Sequence, residues 1–324
     1  MAVTKIIRKD NLGVAIDALN NHDVVAFPTE TVYGLGAKAF DKKAVKKIFK
    51  IKGRKFDNPL IVHISNLEQI NLIAKDVPPI AYDIGKKFWP GPLSIVLKKS
   101  DLVSDLVTAN LDTVAIRMPN NKIALKLINA VGPVAAPSAN LSGKPSCVEL
   151  NHILDDLTGK INYVIDGGKS KIGLESTVID LTSNPFVLLR PGKISFEELE
   201  KFFGKGKIIK YKFENSKITI ASSPGMKYKH YSPNAKVKLV KNIASFLKNN
   251  KLKNFVLISS KKYDLEKSNI NFVFKSNEHL AKNIFSWFRK SDKLKKDYVF
   301  VEEINEKHLG NAILNRVKKA CEKN

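Results

Sequence analysis

The chain has 324 residues, more than one hydrophobic core usually spans, so about two domains are expected. Its hydrophobic content of 44% is ordinary for a globular protein, whereas 55 Lys and Arg against 31 Asp and Glu leave a formal net charge of +24. Such an excess favours polyanionic partners such as nucleotides or RNA, and it is also what a lysine-rich set of solvated faces would show. Two distant cysteines, Cys147 and Cys321, exclude a disulfide framework and a cysteine-based zinc site and fit a reducing cytoplasm. No apolar run approaches the roughly 18 residues of a membrane span. The first ten residues carry Lys5, Arg8 and Lys9 with no apolar segment behind them, so no signal peptide is expected.

Leu12, Ile16 and Leu19 fall at helical spacing and predict a helix over 11–20, before a buried strand over 24–27. Pro28 stops that strand. Thr29, Glu30, Thr31 and Tyr33 then crowd polar groups onto a turn that Gly34 and Gly36 would let bend tightly. Asp41 can cap a helix in which Ala44, Val45, Ile48 and Phe49 share one face and Lys42, Lys43, Lys46, Lys47 and Lys50 the other. The helix should end at Gly53, between Lys52 and Arg54. Asn58-Pro59 and a strand over 60–64 carrying His63 follow. Strand, polar turn, helix, cationic exit and strand together make a unit that can build a pocket.

Two helices are expected over 67–74 and 80–88, divided by Pro78-Pro79, then strands over 93–97 and 114–117. A helix over 121–131 should turn Ile123, Leu127, Ile128 and Val131 inward, ahead of a short strand over 134–136. A second polar turn, Ser138-Ala139-Asn140-Leu141-Ser142-Gly143, comes directly after Pro137, at a strand end, where open α/β sheets place their ligands. Strands over 163–166, 177–180 and 186–189 follow, the last leading into Arg190-Pro191-Gly192. Ser195 with Glu198 forms a capping box for a helix ending near Gly204. Pattern then weakens, so the expected division is a first domain over 1–204, a linker over 205–235 with a short strand at 218–221, and a small α/β domain over 236–324. In that last part strands over 237–240, 255–259, 272–274 and 298–301 alternate with helices over 243–247, 278–288 and 311–320, a doubly wound pattern.

Gly34-Leu35-Gly36-Ala37-Lys38-Ala39 matches a dinucleotide-binding turn only weakly, because no acidic residue follows after a second strand. There is no Walker-type loop, no Gly-x-Ser-x-Gly elbow, and no metal-ligand spacing among the six histidines. Taken singly, Lys52 and Arg54 read as a solvated helix end, and Ser138 and Asn140 as turn formers. Taken together, two cations, a hydroxyl and an amide at strand exits can neutralise and orient a triphosphate.

Residues 27–36, Lys52-Gly53-Arg54 with Asn58-Pro59, Arg117-Met118-Pro119, residues 137–143, Glu175-Ser176-Thr177 and Arg190-Pro191-Gly192 resemble, in kind and order, the YrdC-type threonylcarbamoyl-adenylate synthases. Residues 223–233, Ser-Pro-Gly-Met-Lys-Tyr-Lys-His-Tyr-Ser-Pro, resemble the linker of the longer, two-domain form, so the likeness covers nearly the whole chain. One departure is Ala136-Pro137, where relatives often carry Thr and a small polar residue. The resemblance implies an α/β fold: a YrdC-like twisted mixed sheet with helices, plus a smaller doubly wound, Rossmann-like C-terminal domain.

It also implies an enzyme that converts L-threonine, bicarbonate or CO2, and ATP into L-threonylcarbamoyl-AMP and pyrophosphate, for the modification of the tRNA adenosine next to the anticodon. By the same resemblance Lys52, Arg54, Ser138 and Asn140 are catalytic. Arg54, Asn58, Thr113, Ser138, Ser146, Arg190, His230 and Tyr231 bind ATP, and Thr31, His63, Arg117, Ala136 and Ser176 bind L-threonine. Mg²⁺ would accompany ATP, held by no protein side chain. Further partners would be tRNA or the downstream threonylcarbamoyl-transferase machinery, in the cytoplasm and away from membranes. Residues 222–233 would close over the nucleotide as a lid; the alternative is that Tyr228 and Tyr231 only dock the second domain. Two other classes stand beside this one. A plain RNA-binding module would account for the charge but not for a pocket rich in Thr, Ser and Asn. A carbamoyltransferase of hydrogenase maturation would bring Cys-rich zinc motifs.

Overall fold

The computed structural model describes residues 3–211, 230–249 and 251–321. The strand expected at 218–221 and most of the expected lid, 222–229 with Tyr228, lie outside the described residues. Through residue 211 the order is β1 (Lys5–Arg8), α1 (Gly13–Asn20), β2 (Val25–Phe27), β3 (Gly34–Lys38), α2 (Lys42–Lys52), β4 (Ile61–His63), α3 (Ile70–Ile73), α4 (Pro79–Phe88), β5 (Leu93–Lys98), α5 (Asp105–Thr108), β6 (Thr113–Arg117), α6 (Lys122–Val131), β7 (Val134–Ala136), α7 (Leu150–Leu157), β8 (Tyr163–Asp166), β9 (Thr177–Asp180), β10 (Phe186–Arg190), α8 (Phe196–Phe203) and β11 (Ile208–Lys210). These strands form one mixed 11-stranded sheet, β1-β8-β2-β3-β7-β4-β6-β5-β9-β10-β11. The remainder holds β12 (Lys236–Val240), α9 (Ile243–Asn249), β13 (Phe255–Ser259), β14 (Ile270–Val273), α10 (Asn277–Lys293), β15 (Tyr298–Glu302) and α11 (Leu309–Cys321). Its four strands pair in the order β12-β15-β13-β14, all parallel. Among the described residues no helix is long and apolar enough to cross a membrane.

Helix α2 forms as its sequence requires. Asp41 accepts from the backbone N–H groups of Lys43 and Ala44, and Gly53 closes the helix in the left-handed region at φ 59°. Ala44, Val45, Ile48 and Phe49 are buried against the sheet, while Lys42, Lys43, Lys46, Lys47 and Lys50 are exposed. The capping box at Ser195 and Glu198 is likewise present.

Gly34 and Gly36 differ from expectation. They lie inside β3, not in a bend, and neither has a positive φ. A Cβ on Gly36 would come within 2.6 Å of the Phe27 ring and 2.7 Å of Val134, so glycine is required there by packing across the sheet. β1 and β11 were not legible in the sequence. β1 buries only Ile7 and pairs with β8; β11 buries only Ile208 and pairs with β10, so residues 208–210, expected in a linker, extend the large sheet.

Candidate active site

The chain turns at Gly53, and the last side chain of α2 points inward. Lys52 is only 3% exposed, and its Nζ donates to the backbone carbonyls of Ser138 and Asn140. Burial first, and then the Arg54 charge, push the Lys52 ammonium down to about 7. Two carbonyl acceptors favour its charged form. Arg54 is buried too: its Nε donates to the Asn58 carbonyl at 3.1 Å, and one NH2 group donates to Asn58 Oδ1 at 2.6 Å and the Pro59 carbonyl at 2.8 Å. Neither cation is the solvated helix end that each would be alone.

The second polar turn is tied internally and from behind. Ser138 donates to Asn140 Oδ1 at 2.5 Å, and Asn140 Nδ2 donates to the carbonyls of Leu141 and Lys144 at 2.7 and 2.9 Å. The Leu141 N–H donates to Asp156 Oδ2 on α7 at 3.1 Å, and Asp156 receives Arg289 of α10 at 2.8 Å. The same guanidinium donates to the Pro145 carbonyl at 2.5 Å. Burial raises the Asp156 carboxyl pKa, but Arg289 and the Leu141 N–H outweigh it, and the net shift is downward.

Removing one partner of a buried ion pair strands the other charge, so Asp156→Ala should cost about 3–5 kcal/mol, on the order of 10 °C in melting temperature. A carboxylate with a folded pKa below its unfolded value near 3.9 contributes fully above that value and loses its contribution as pH falls through the folded one. Melting curves should therefore separate parent and variant widely at neutral pH and converge in acid. A constant gap down to strongly acidic pH would reject the pair as its source.

A second polar group gathers around Arg117, the last residue of β6. Its Nε donates to the Gly91 carbonyl at 3.2 Å, NH1 to Thr31 Oγ1 at 2.9 Å, and NH2 pairs with Glu30 Oε1 at 2.7 Å. Thr31 and Thr29 share a hydrogen bond of 2.8 Å. His63 stands beside Arg117 in the β4–β6 register. Burial and then the Arg117 charge push the imidazole down to about 3, so it is neutral, and its Nδ1 has no hydrogen-bond partner among the described residues. Ser176 lies 2.8 Å from Ser94 and accepts from Arg190 at 3.0 Å.

His230 and Tyr231 come in from the far side of the undescribed segment. Burial and then Arg54 push His230 down to about 3. The Tyr231 ring stacks on Phe285 of α10 at 5.3 Å, with the Arg316 guanidinium of α11 5.5 Å from its centroid.

One cleft brings together Thr31, Lys52, Arg54, His63, Arg117, Ala136, Ser138, Asn140, Ser146, Ser176, Arg190, His230 and Tyr231. Two residues named from the sequence do not line it. Asn58 backs Arg54, and Thr113 opens β6 opposite Lys98. Among the lining residues four cations, Lys52, Arg54, Arg117 and Arg190, face one carboxylate, Glu175. This cleft suits a polyanion. Glu175 stood in the Glu175-Ser176-Thr177 motif without a role of its own, and Arg289 and Arg316 behind the site were missed, although a signal existed: Arg316 occupies the apolar stripe of α11 with Ile313, Val317 and Ala320, all buried.

A family model described as telomere recombination matches residues 17–192, and one described as threonylcarbamoyl-AMP synthase, C-terminal domain, matches residues 194–321. The threonylcarbamoyl-AMP synthase of Pyrococcus abyssi is 45% identical over 98% of this chain and 96% of its own. That of Bacillus subtilis is 40% identical over 94% and 90%. The crystal structure of P. abyssi Sua5 complexed with L-threonine superposes with a TM-score of 0.90 at 44% identity and covers 98% of both chains.

Proposed function

The chain belongs to the two-domain threonylcarbamoyl-AMP synthase family, and from that membership we propose how its cleft makes threonylcarbamoyl-AMP from L-threonine, bicarbonate or CO2, and ATP. The threonine ammonium loses one proton to solvent, the freed amine nitrogen bonds to the carbon of CO2 as one C–O π pair moves onto oxygen, and a second proton leaves the nitrogen for solvent, giving an anionic carbamate. A carbamate oxygen then bonds to the α-phosphorus of ATP while the bond to the β-phosphate oxygen breaks, and pyrophosphate leaves with that electron pair. Because the carbamate oxygen is already anionic, the step needs charge neutralisation and alignment more than a general base.

Lys52 and Arg54 take the phosphate charge, with Ser138 and Asn140 shaping the turn that holds Lys52. Ser146, Arg190, His230 and Tyr231 complete the nucleotide site, and Asn58 serves it through its bonds to Arg54, whereas Thr113, at the far end of β6 from Arg117, does not reach the cleft. Arg117 takes the threonine carboxylate, with Thr31, His63, Ala136 and Ser176 around the rest of the amino acid. ATP enters as its Mg²⁺ complex; the one lining carboxylate is occupied by Arg316, so the ion travels with the phosphates. The product is an activated carrier of the threonylcarbamoyl group for a tRNA adenosine beside the anticodon.

The observation that supports this reading most is four cations against one carboxylate in a single cleft, in a chain whose full-length relative was crystallised with L-threonine. Incubation with L-threonine, ATP and ¹³C-bicarbonate should yield labelled threonylcarbamoyl-AMP and equimolar pyrophosphate by mass spectrometry. ADP, or a product without label, would reject it.

Glu30 is buried and holds Arg117 from behind, outside the cleft lining. The contact is a buried ion pair, and removing one partner of such a pair typically costs about 2–5 kcal/mol, so Glu30→Gln, which leaves the guanidinium unanchored, should raise the KM for threonine about tenfold or more. Steady-state kinetics with each substrate varied checks this; an equal rise in the KM for ATP would point to general disruption instead.

A further inference from the structure

Arg316 belongs to α11, packed on the smaller sheet, yet its side chain is fully buried and points at the cleft of the larger one. Its Nε donates to Glu175 Oε2 at 2.8 Å, and its NH1 donates to the Pro191 carbonyl at 2.9 Å and Asn315 Oδ1 at 3.0 Å. Glu175 Oε1 accepts from the Ser146 hydroxyl. Glu175 and Ser146 line the cleft, whereas Arg316 does not. Pro191 directly follows Arg190, and a Cβ on Gly192 would meet the backbone N–H of Thr177 at 2.3 Å, so the loop that Arg316 holds is pressed onto Ser176-Thr177. One guanidinium thus grips both segments that carry Glu175, Ser176 and Arg190, and it also lies against the Tyr231 ring.

We propose that Arg316 is a positioning residue of the nucleotide site, acting through Glu175 on Ser146, so that the C-terminal unit completes the cleft. This rests on the reading of Ser146 as a nucleotide-binding residue. The chemistry is a fixed polarity. Glu175, paired with Arg316, is a carboxylate and can only accept, so the Ser146 hydroxyl hydrogen is committed to it. Ser146 is left to present lone pairs to the cleft and accepts from a donor on ATP, such as the adenine amino group or a ribose hydroxyl. An apolar residue at 316 could pack the interface as stably, since buried ion pairs often contribute little net stability against well-packed hydrophobes. It could not set that polarity.

The test uses the full-length chain. Arg316→Met and Glu175→Gln should each raise the KM for ATP about tenfold, the factor one charge-assisted hydrogen bond supplies, with a clearly smaller rise in the KM for threonine, since Ser176 adjoins Glu175. Because both act through one relay, the double variant should be no worse than the worse single one. Arg316→Lys should recover part of the loss, and it decides the matter if the methionine variant does not fold. Additive losses, equal changes in both KM values, or an unchanged KM for ATP would overturn the relay. Ser146→Ala separates the two readings. If it leaves the KM for ATP unaltered, Ser146 is not a nucleotide residue; if it raises that KM while Arg316→Met does not, only the relay fails.

Discussion

With Lys52 replaced by alanine, kcat/KM for ATP is expected to fall about a thousandfold, roughly 4 kcal/mol of transition-state stabilisation. Two losses combine in that figure. The ammonium no longer meets phosphate oxygens, typically about 1.5–3 kcal/mol, and the buried carbonyls of Ser138 and Asn140 lose their donor, about 1–3 kcal/mol for an unsatisfied buried group. The second loss loosens the turn that also carries Asn140. Normal turnover in a folded Lys52→Ala protein would remove Lys52 from the phosphate site.

The same residue predicts a pH profile. Its pKa is lowered to about 7, so in the free enzyme it is cationic below that pH and neutral above it. On the alkaline side kcat/KM for ATP should decline through about 7, whereas kcat, governed by the complex in which phosphate favours the ammonium, should hold to higher pH. Lys52→Ala should lack the difference between the two profiles.

2-Aminobutyrate, which keeps the methyl group of threonine and lacks its hydroxyl, should be roughly 10⁴-fold worse than threonine in kcat/KM, and serine only about 10- to 200-fold worse. The asymmetry follows from what each analogue leaves behind. A missing methyl forfeits dispersion and apolar burial. A missing hydroxyl strands polar atoms in a site where water cannot replace it, and His63 Nδ1 is already buried without a partner among the described residues. Pyrophosphate release with each amino acid in turn measures the order, and serine falling below 2-aminobutyrate would refute a hydroxyl-reading pocket. His63, neutral in this setting, is suited to exchange a hydrogen bond and not to carry charge.

What the sequence determined by itself were the features encoded within a few residues of one another. Asp41, the apolar face of α2 and Gly53 specify one helix through contacts no longer than a turn or two, and Ser195 with Glu198 do the same for α8. Strands with a continuous apolar run, such as β2, β4 and β13, were legible for the same reason. Motif order also pointed to nearly every side chain that meets in the cleft, because those residues sit at the ends of legible elements: His63 closes β4, Arg117 β6, Ala136 β7 and Arg190 β10.

Only the tertiary structure decided the rest, and the reason is sequence distance. β1 and β11 each bury one side chain and are strands because β8 and β10 accept them, not because their own pattern alternates. Gly36 is glycine because Phe27 and Val134 close over it from neighbouring strands, which no local reading of a Gly-x-Gly turn could foresee. Lys52 and Arg54 are buried because carbonyls from the 138–140 turn and from Asn58-Pro59 surround them. Arg316 and Glu175 are 141 positions apart; each alone looks like a misplaced charge, and desolvation makes either tolerable only once the other is in place.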